Sequence, residues 1–142
     1  MRNVRQILEA KSGRLVTVPK EAPVLEVVRL MAEHHIGSVL VVQGGELVGI
    51  ATERDYARKV ILQGRSSAET PVSLIMSSPV ITVRPADTAQ HCMQLMTERR
   101  IRHLPVLEDG RLQGVVSIGD LVKAVIEDQQ QEIEQLQQYI AM

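Results

Sequence analysis

The chain has 142 residues, with 16 Lys and Arg against 17 Asp and Glu, and 44% of its residues are hydrophobic. This composition fits about one globular domain that folds without metal or disulfides, and it excludes a disordered or collagen-like chain. The near-neutral charge and a count of two aromatic residues, Tyr56 and Tyr139, argue against a nucleic-acid partner, and no apolar run is long enough to cross a membrane.

The first half of the chain predicts a short leader, an extended stretch, a helix, two strands and a second helix. These elements lie at residues 4–8, 15–18, 24–31, 39–42, 47–51 and 53–61. Pro23 suits the first turn of a helix, and the apolar residues that follow it recur at helical spacing. Gly44-Gly45 between the two β-rich runs predicts a hairpin turn.

The second half repeats this order after a polar linker at residues 62–70. Thr70-Pro71 predicts a helix start, and Asp87 with Gln90 has the spacing of a capping box. Asp109-Gly110 predicts the second hairpin turn. The elements lie at residues 72–76, 80–83, 89–96, 104–107, 112–116 and 118–126.

The two halves are an internal repeat. A shift of 65 residues places 17–61 on 82–126 without a gap, and 13 of the 45 positions are identical, against roughly three by chance. The leaders VRQIL (4–8) and VSLIM (72–76) also match. Because a unit of about 60 residues has a marginal core, we expect the copies to bury a shared face.

The expected fold is therefore α/β, with two β-α-β-β-α repeats packed as one pseudo-twofold module and a C-terminal amphipathic helix. We expect the first repeat and its leader at residues 1–65, the second repeat at 66–127 and the C-terminal helix at 128–142. Apolar residues at helical spacing among Gln and Glu suit a helix that covers the module or contacts a second subunit. They are Ile126, Ile133, Leu136 and Ile140.

Catalytic chemistry finds little support in the residue pattern. His34, His35, His91 and His103 lack the spacing of a zinc site, and no nucleophile is paired with a base. Cys92 is the single cysteine, so no internal disulfide can form, and the N-terminus MRNVRQILEA has too short an apolar stretch for a signal peptide. We expect a cytoplasmic protein that is not an enzyme and has no metal.

One motif occurs at the same place in both repeats: a glycine near the end of a strand, then a hydroxyl and an aspartate at the start of a helix. The motif residues are Gly49, Thr52 and Asp55 in the first copy and Gly114, Ser117 and Asp120 in the second. One interpretation is a helix cap that needs no ligand. The other is an anion site at the helix start, with the carboxylate accepting hydrogen bonds from a ribose.

The paired motif and the repeated β-α-β-β-α order resemble the tandem cystathionine-beta-synthase (CBS) domains known as a Bateman module. The resemblance covers residues 4–126, and the compact form is similar to bacterial stand-alone CBS pairs of the signal-transduction type. It implies that an adenosine compound (AMP, ADP, ATP, NAD or S-adenosylmethionine) binds between the repeats as a regulatory ligand. It also implies a homodimer, and a regulatory outcome would involve an unidentified effector protein. The composition favours neither a nucleic acid nor a membrane as partner.

The resemblance further implies two nucleotide sites, each with polar residues from one repeat and base-pocket residues from the other. The first would comprise Val16, Ile36, Gly37, Ser38, Arg102, His103, Ser117 and Asp120. The second would comprise Thr52, Arg54, Asp55, Val80, Ile81, His103 and Leu104.

The two sites are not expected to be equivalent, because the first repeat has Gly37-Ser38 where the second has Arg102-His103. Charge-assisted contacts to phosphate are worth about 1.5–3 kcal/mol each. We therefore expect one site that requires phosphate and one that is weaker or differently selective. The alternative function is a ligand-independent dimerisation or scaffold protein, in which both motifs are only helix caps.

Overall fold

The computed structural model describes residues 2–11 and 15–142, which form two compact units. The first-repeat unit contains residues 15–81 and the second-repeat unit contains residues 2–11 and 82–142. The expected division at residue 65 differs from these boundaries, because each leader belongs to the unit of the other repeat.

The first-repeat unit is a three-stranded sheet with helices. Its elements are β1 (Thr17–Val18), α2 (Val24–His34), β2 (Ser38–Gln43), β3 (Glu46–Thr52), α3 (Glu53–Tyr56), a π-helical turn (Ala57–Ile61) and a 3-10 turn (Val72–Leu74). The strands lie in the order β1-β2-β3, with β1 parallel and β3 antiparallel to β2. Gly44 and Gly45 both have positive φ, at 58° and 82°, as in a type I′ turn, which confirms the predicted hairpin.

The second-repeat unit shares the helix-strand-strand-helix order of the first, but among the described residues it has no leading strand, and it is preceded by a helix from the N-terminal leader. It contains α1 (Val4–Glu9), α4 (Ala89–Arg99), β4 (His103–Glu108), β5 (Arg111–Ser117) and α5 (Ile118–Ala141). β4 and β5 are antiparallel, and positive φ at Asp109 and Gly110 confirms the second hairpin turn. The expected C-terminal helix is present, and it continues the second repeat's last helix without a break as the single element α5.

The strand predicted at residues 80–83 is reduced to a single parallel bridge between Val83 and Val106. In the first repeat, Leu40 donates its backbone N–H to Val16 O at 3.2 Å. The equivalent residue in the second repeat is Pro105, which has no N–H to donate. The parallel ladder is shorter for that reason.

The start of α4 also differs from the prediction. Thr88, rather than Asp87, is the N-cap residue, and its hydroxyl accepts a hydrogen bond from His91 N at 3.0 Å. The Asp87 carboxylate instead accepts from Arg84 N at 2.7 Å and closes the preceding turn.

The two leaders make equivalent contacts in the opposite units. Val4 N donates to Asp87 O in the second-repeat unit, and Val72 N donates to Ala22 O in the first-repeat unit, both at 2.8 Å. Ala22 and Asp87 are 65 residues apart and therefore occupy the same position of the repeat. Each repeat is thus completed by the segment that precedes the other repeat.

The exchanged leaders contribute to the hydrophobic core. Val72 and Ile75 are 0% and 1% exposed and pack with the buried residues of the first-repeat unit. Val4 and Ile7 are also buried. In the part of the chain that the structure describes, no helix is long and apolar enough to span a membrane.

The exchange of leaders predicts that alanine substitutions at two adjacent leader positions differ greatly in their effect on stability. Ile75→Ala removes a buried side chain, so we expect the free energy of unfolding to fall by about 2–5 kcal/mol in urea denaturation. Leu74→Ala is the matched control, because Leu74 is 62% exposed and its loss should change stability by less than about 0.5 kcal/mol. Equal effects of the two substitutions would contradict the packing of this leader.

Candidate functional site

The two Ser/Thr-x-x-Asp motifs lie where a strand runs directly into a helix. Thr52 is the N-cap of α3: its hydroxyl oxygen accepts from Asp55 N at 3.2 Å, and Asp55 Oδ2 accepts from Thr52 N at 3.0 Å. Ser117 and Asp120 make the same reciprocal pair at the start of α5, at 3.2 and 2.8 Å. Both motifs therefore form complete capping boxes.

A backbone carbonyl of the preceding segment adds a further hydrogen bond to each helix start. Gly37 O accepts from Glu53 N at 3.2 Å, and Arg102 O accepts from Ile118 N at 2.9 Å. The first and third helical N–H groups are therefore occupied within each unit. Neither contact uses the N–H of the second helical residue, Arg54 or Gly119.

A lysine pairs with each motif aspartate, and the two lysines come from different parts of the chain. Lys59, one turn further along the same helical segment, lies 3.2 Å from Asp55 Oδ1. Lys11, which follows α1, lies 2.8 Å from Asp120 Oδ2 and also donates to Val115 O. The 65-residue shift places Ala124 at the position equivalent to Lys59, so the repeats reach a similar charge pairing in different ways.

The two carboxylates differ in how much acceptor capacity remains. Asp55 uses Oδ2 for the N–H and hydroxyl of Thr52 and Oδ1 for Lys59. Lys11 Nζ and Ser117 N both contact Oδ2 of Asp120, and these two contacts leave Oδ1 able to accept from a hydroxyl donor. The Asp120 side chain is 23% exposed and that of Asp55 is 13% exposed.

The surroundings of Asp120 lower the pKa of its carboxyl group. Partial burial raises the pKa, but the hydrogen bond from Lys11, the Ser117 N–H and the positive charge of Lys11 together outweigh that effect. Asp120 is therefore a carboxylate at neutral pH.

Gly49 and Gly114, the glycines of the repeated motif, leave room for a leader side chain near the end of each strand. A Cβ on Gly114 would lie 2.9 Å from Leu8 Cδ2, and one on Gly49 would lie 2.8 Å from Met76 Cγ. Leu8 and Met76 occupy the same position in the two leaders. These glycines are thus explained by packing of the exchanged leaders.

The first-repeat unit contains most of the expected site residues: Val16, Ile36, Gly37, Ser38, Thr52, Arg54, Asp55, Val80 and Ile81. Within it, Ser38 is the cross-strand partner of Thr52, and Val16 O accepts from Leu40 N in the adjacent strand. The base-pocket residues expected opposite Asp120 therefore share a unit with Asp55.

The second-repeat unit contains the other expected residues: Arg102, His103, Leu104, Ser117 and Asp120. His103 is the cross-strand partner of Ser117. Arg102 is exposed and His103 is half-buried, whereas Leu104 is 0% exposed and contributes to the core of its own unit.

The motif pattern did not point to Lys11, to Lys59 or to the contact of each leader with a motif glycine. The four-residue spacing of Asp55 and Lys59 is a local signal for an ion pair on a helix. Lys11 has no such signal, because its position beside Asp120 depends on where the leader packs.

Among the residues described, no group of His, Cys, Asp and Glu has an arrangement that could hold a metal ion. Cys92 is 0% exposed. Burial and the nearby Asp87 raise the pKa of its thiol to about 11, so the thiol is protonated and inaccessible at neutral pH.

Removal of the lysine that pairs with Asp120 should lower the free energy of unfolding at neutral pH but not in acid. We expect Lys11→Met to lower the free energy of unfolding by about 0.5–1 kcal/mol at pH 7, because the pair is partly screened by solvent. Because the pKa of Asp120 is lower in the folded state, its ionisation stabilises the fold at pH values above the ordinary aspartate pKa of about 3.9. This contribution disappears as the pH falls through the pKa of the folded state. Urea unfolding at pH 7 and pH 2.5 measures the difference.

Lys123→Met is the control, because Lys123 is 77% exposed and lies 4.0 Å from Glu127. An NMR titration of the Asp120 carboxyl carbon should show a higher pKa in Lys11→Met than in the unmodified protein. An unchanged titration would mean that Lys11 does not hold this carboxylate in solution.

The sequence matches the CBS domain family over residues 4–61 and 72–127. It is 48% identical over 122 residues to the mitochondrial CBS domain-containing protein CBSX3 of Arabidopsis thaliana, covering 82% of this chain and 59% of that protein's length. A CBS-domain protein from Burkholderia ambifaria MC40-6 has a solved structure with 54% identity and a TM-score of 0.86, covering 89% of this chain and 96% of that one.

Two similar structures were solved with ligands. The CBS domain pair of protein MJ0100, in complex with 5′-methylthioadenosine and S-adenosyl-L-methionine, is 26% identical with a TM-score of 0.79, covering 90% of this chain and 98% of that one. PAE2072 from Pyrobaculum aerophilum, complexed with AMP, is 26% identical with a TM-score of 0.74, and the match covers 83% of this chain and 88% of that one. The family match over both repeats, together with the duplicated fold, shows that this chain belongs to the CBS domain family.

Proposed function

We propose that the chain is a regulatory module that binds an adenosine-containing ligand at its strand–helix junctions. The observation that carries the proposal is the carboxylate held at the same place in both repeats, beside the start of a helix. Two similarly folded proteins hold AMP, 5′-methylthioadenosine or S-adenosylmethionine. CBS domain proteins are typically regulatory, and we assign no catalytic step to this chain.

The polar part of the ligand would be held by the capping residues. A carboxylate can accept two hydrogen bonds from a ribose diol, and the oxygen with capacity for this is Oδ1 of Asp120. The N–H of the second helical residue, which neither cap contact uses, and the positive end of the helix dipole favour a phosphate nearby. The cap and the binding role are compatible, because the cap uses other atoms of the same residues.

The apolar part would lie on the strand edge beside the cap. In the first-repeat unit, Val16 and Ile36 are half-buried and neighbour the strand pair that joins Ser38 to Thr52. The residues supporting this part of the proposal lie within one unit. The expected combination of Val16 and Ile36 with Asp120 stays a prediction.

The two junctions would not bind equally. Arg102 adds an exposed cation to the Asp120 junction, whereas Gly37 adds none to the Asp55 junction. Asp55 also has both oxygens engaged. We therefore assign the tighter, phosphate-requiring site to Asp120 and the weaker site to Asp55.

We further propose that the module acts as a homodimer in the cytoplasm and reports occupancy to an effector protein. The single cysteine, Cys92, cannot form an internal disulfide, which fits a reducing compartment. The competing function is a ligand-independent scaffold in which the capping boxes have only their structural role.

A thermal-shift panel of AMP, ADP, ATP, NAD and S-adenosylmethionine tests binding. Ligand at about 100 times Kd should stabilise the folded state by about 2.7 kcal/mol, which raises the melting temperature by several degrees. Asp120→Asn should remove most of that shift, because the amide can still accept the Ser117 N–H but lacks the carboxylate charge. Asp109→Asn makes the same chemical change in an exposed turn of the same unit and should keep the shift.

Two outcomes would overturn the proposal. No shift with any of the five compounds would favour the scaffold function. A shift that persists in the Asp55→Asn/Asp120→Asn double variant would mean that the ligand binds away from both caps.

A second prediction concerns the phosphate. Arg102→Gln should weaken AMP binding by about 10-fold, the lower end for a charge-assisted contact because the side chain is exposed. Adenosine, which has no phosphate, should bind the variant and the unmodified protein nearly equally in calorimetric titrations. Arg99→Gln is the control, since Arg99 is an exposed arginine at the end of α4. An equal loss for adenosine and AMP would contradict a phosphate contact.

A further inference from the structure

The last part of α5 is a solvent-exposed helix. Asp128 is the last half-buried residue of α5, and every residue from 129 to 142 is exposed. The helix continues to Ala141, which is about 20 Å beyond that point. An isolated helix of this length is marginal in water, so the segment needs a partner to be stable.

Its apolar residues follow a seven-residue repeat. Ile126, Ile133 and Ile140 are seven residues apart, and so are Val122, Gln129 and Leu136. The two sets alternate at spacings of four and three, as the a and d positions of a coiled coil do. The five apolar members are 42–81% exposed.

A strict seven-residue period distinguishes this face from an ordinary amphipathic helix. The apolar stripe of a helix that packs on a globular surface follows 3.6 residues per turn, whereas 3.5 residues keep one narrow seam facing another helix. Isoleucine at a with leucine at d favours two parallel strands. A polar residue such as Gln129 within the seam helps to fix register at a cost in stability.

The charge at Glu132 favours the parallel orientation. Glu127, Asp128 and Glu134 fall at b and c positions, away from the seam. Glu132, at position g, would face Gln137 at position e of a parallel partner. In an antiparallel pair g faces g, so Glu132 would meet its own copy, and like charges there repel.

We propose that residues 122–140 of α5 form a parallel, two-stranded coiled coil with a second copy of this chain. The seam is Val122, Ile126, Gln129, Ile133, Leu136 and Ile140. This assigns the proposed homodimer to a defined surface. The coiled coil does not depend on nucleotide binding. The ligand panel and the mass measurements below therefore test the two proposals separately.

Sedimentation equilibrium of the full chain tests the seam. The unmodified protein should associate, and Ile133→Glu should weaken that association by roughly 100-fold and halve the assembly mass, because two carboxylates would enter an apolar seam. Gln131→Glu adds the same charge to the opposite face of the helix and should leave the mass unchanged. Ile133 is exposed in the single chain, so the fold of either variant, followed by circular dichroism of the core transition, should persist.

Cysteine crosslinking tests the orientation. Ile140→Cys should give a disulfide-linked dimer on mild oxidation, because the two side chains meet only in a parallel, in-register pair. Gln138→Cys, which lies outside the seam, should crosslink far less, and buried Cys92 does not interfere. A monomeric unmodified protein, a mass unaffected by Ile133→Glu, or failure of Ile140→Cys to crosslink above the Gln138→Cys control would each overturn the proposal.

Discussion

The exchange of leaders is the packing constraint on which both units depend. A repeat of about 60 residues buries too little apolar surface to be stable with a wide margin. Val72 and Ile75 complete the core of the first-repeat unit, and Val4 and Ile7 are buried in the second. The main-chain hydrogen bonds of Val4 to Asp87 and Val72 to Ala22 fix both segments in equivalent places.

The same exchange shapes the candidate sites. Leu8 and Met76 pack over the motif glycines, which lie a few residues before each cap. The leader also brings Lys11 to Asp120, whereas Asp55 takes its lysine from its own helical segment. Two repeats with the same motif therefore present carboxylates of different availability. Divergence between duplicated sites thus arises from neighbours as well as from the motif residues.

The capping boxes connect stability with function. Each aspartate accepts the N–H of its Ser or Thr, and this contact is made without a ligand. A residue can hold the helix start through one oxygen and offer the other to a sugar hydroxyl. The helix that begins at the Ser117 cap is also the helix that carries the heptad seam. In the proposed dimer, one continuous element would therefore link the tighter ligand site to the subunit interface.

The sequence by itself determined the duplication, the helix-strand-strand-helix order of each repeat, both hairpins and the caps at Thr52 and Ser117. These features depend on residues close together in the chain, so local spacing and turn chemistry are sufficient to predict them. The sequence did not locate the α4 cap at Thr88, because Asp87 is an equally suitable cap residue. Only the structure shows that the Asp87 side chain accepts a hydrogen bond from Arg84 N instead. Only the tertiary structure decided which unit each leader completes, that Lys11 reaches Asp120, and that Leu104 belongs to the core. Those outcomes depend on contacts between residues up to about a hundred positions apart, such as Lys11 and Asp120, and no local pattern encodes such a pairing.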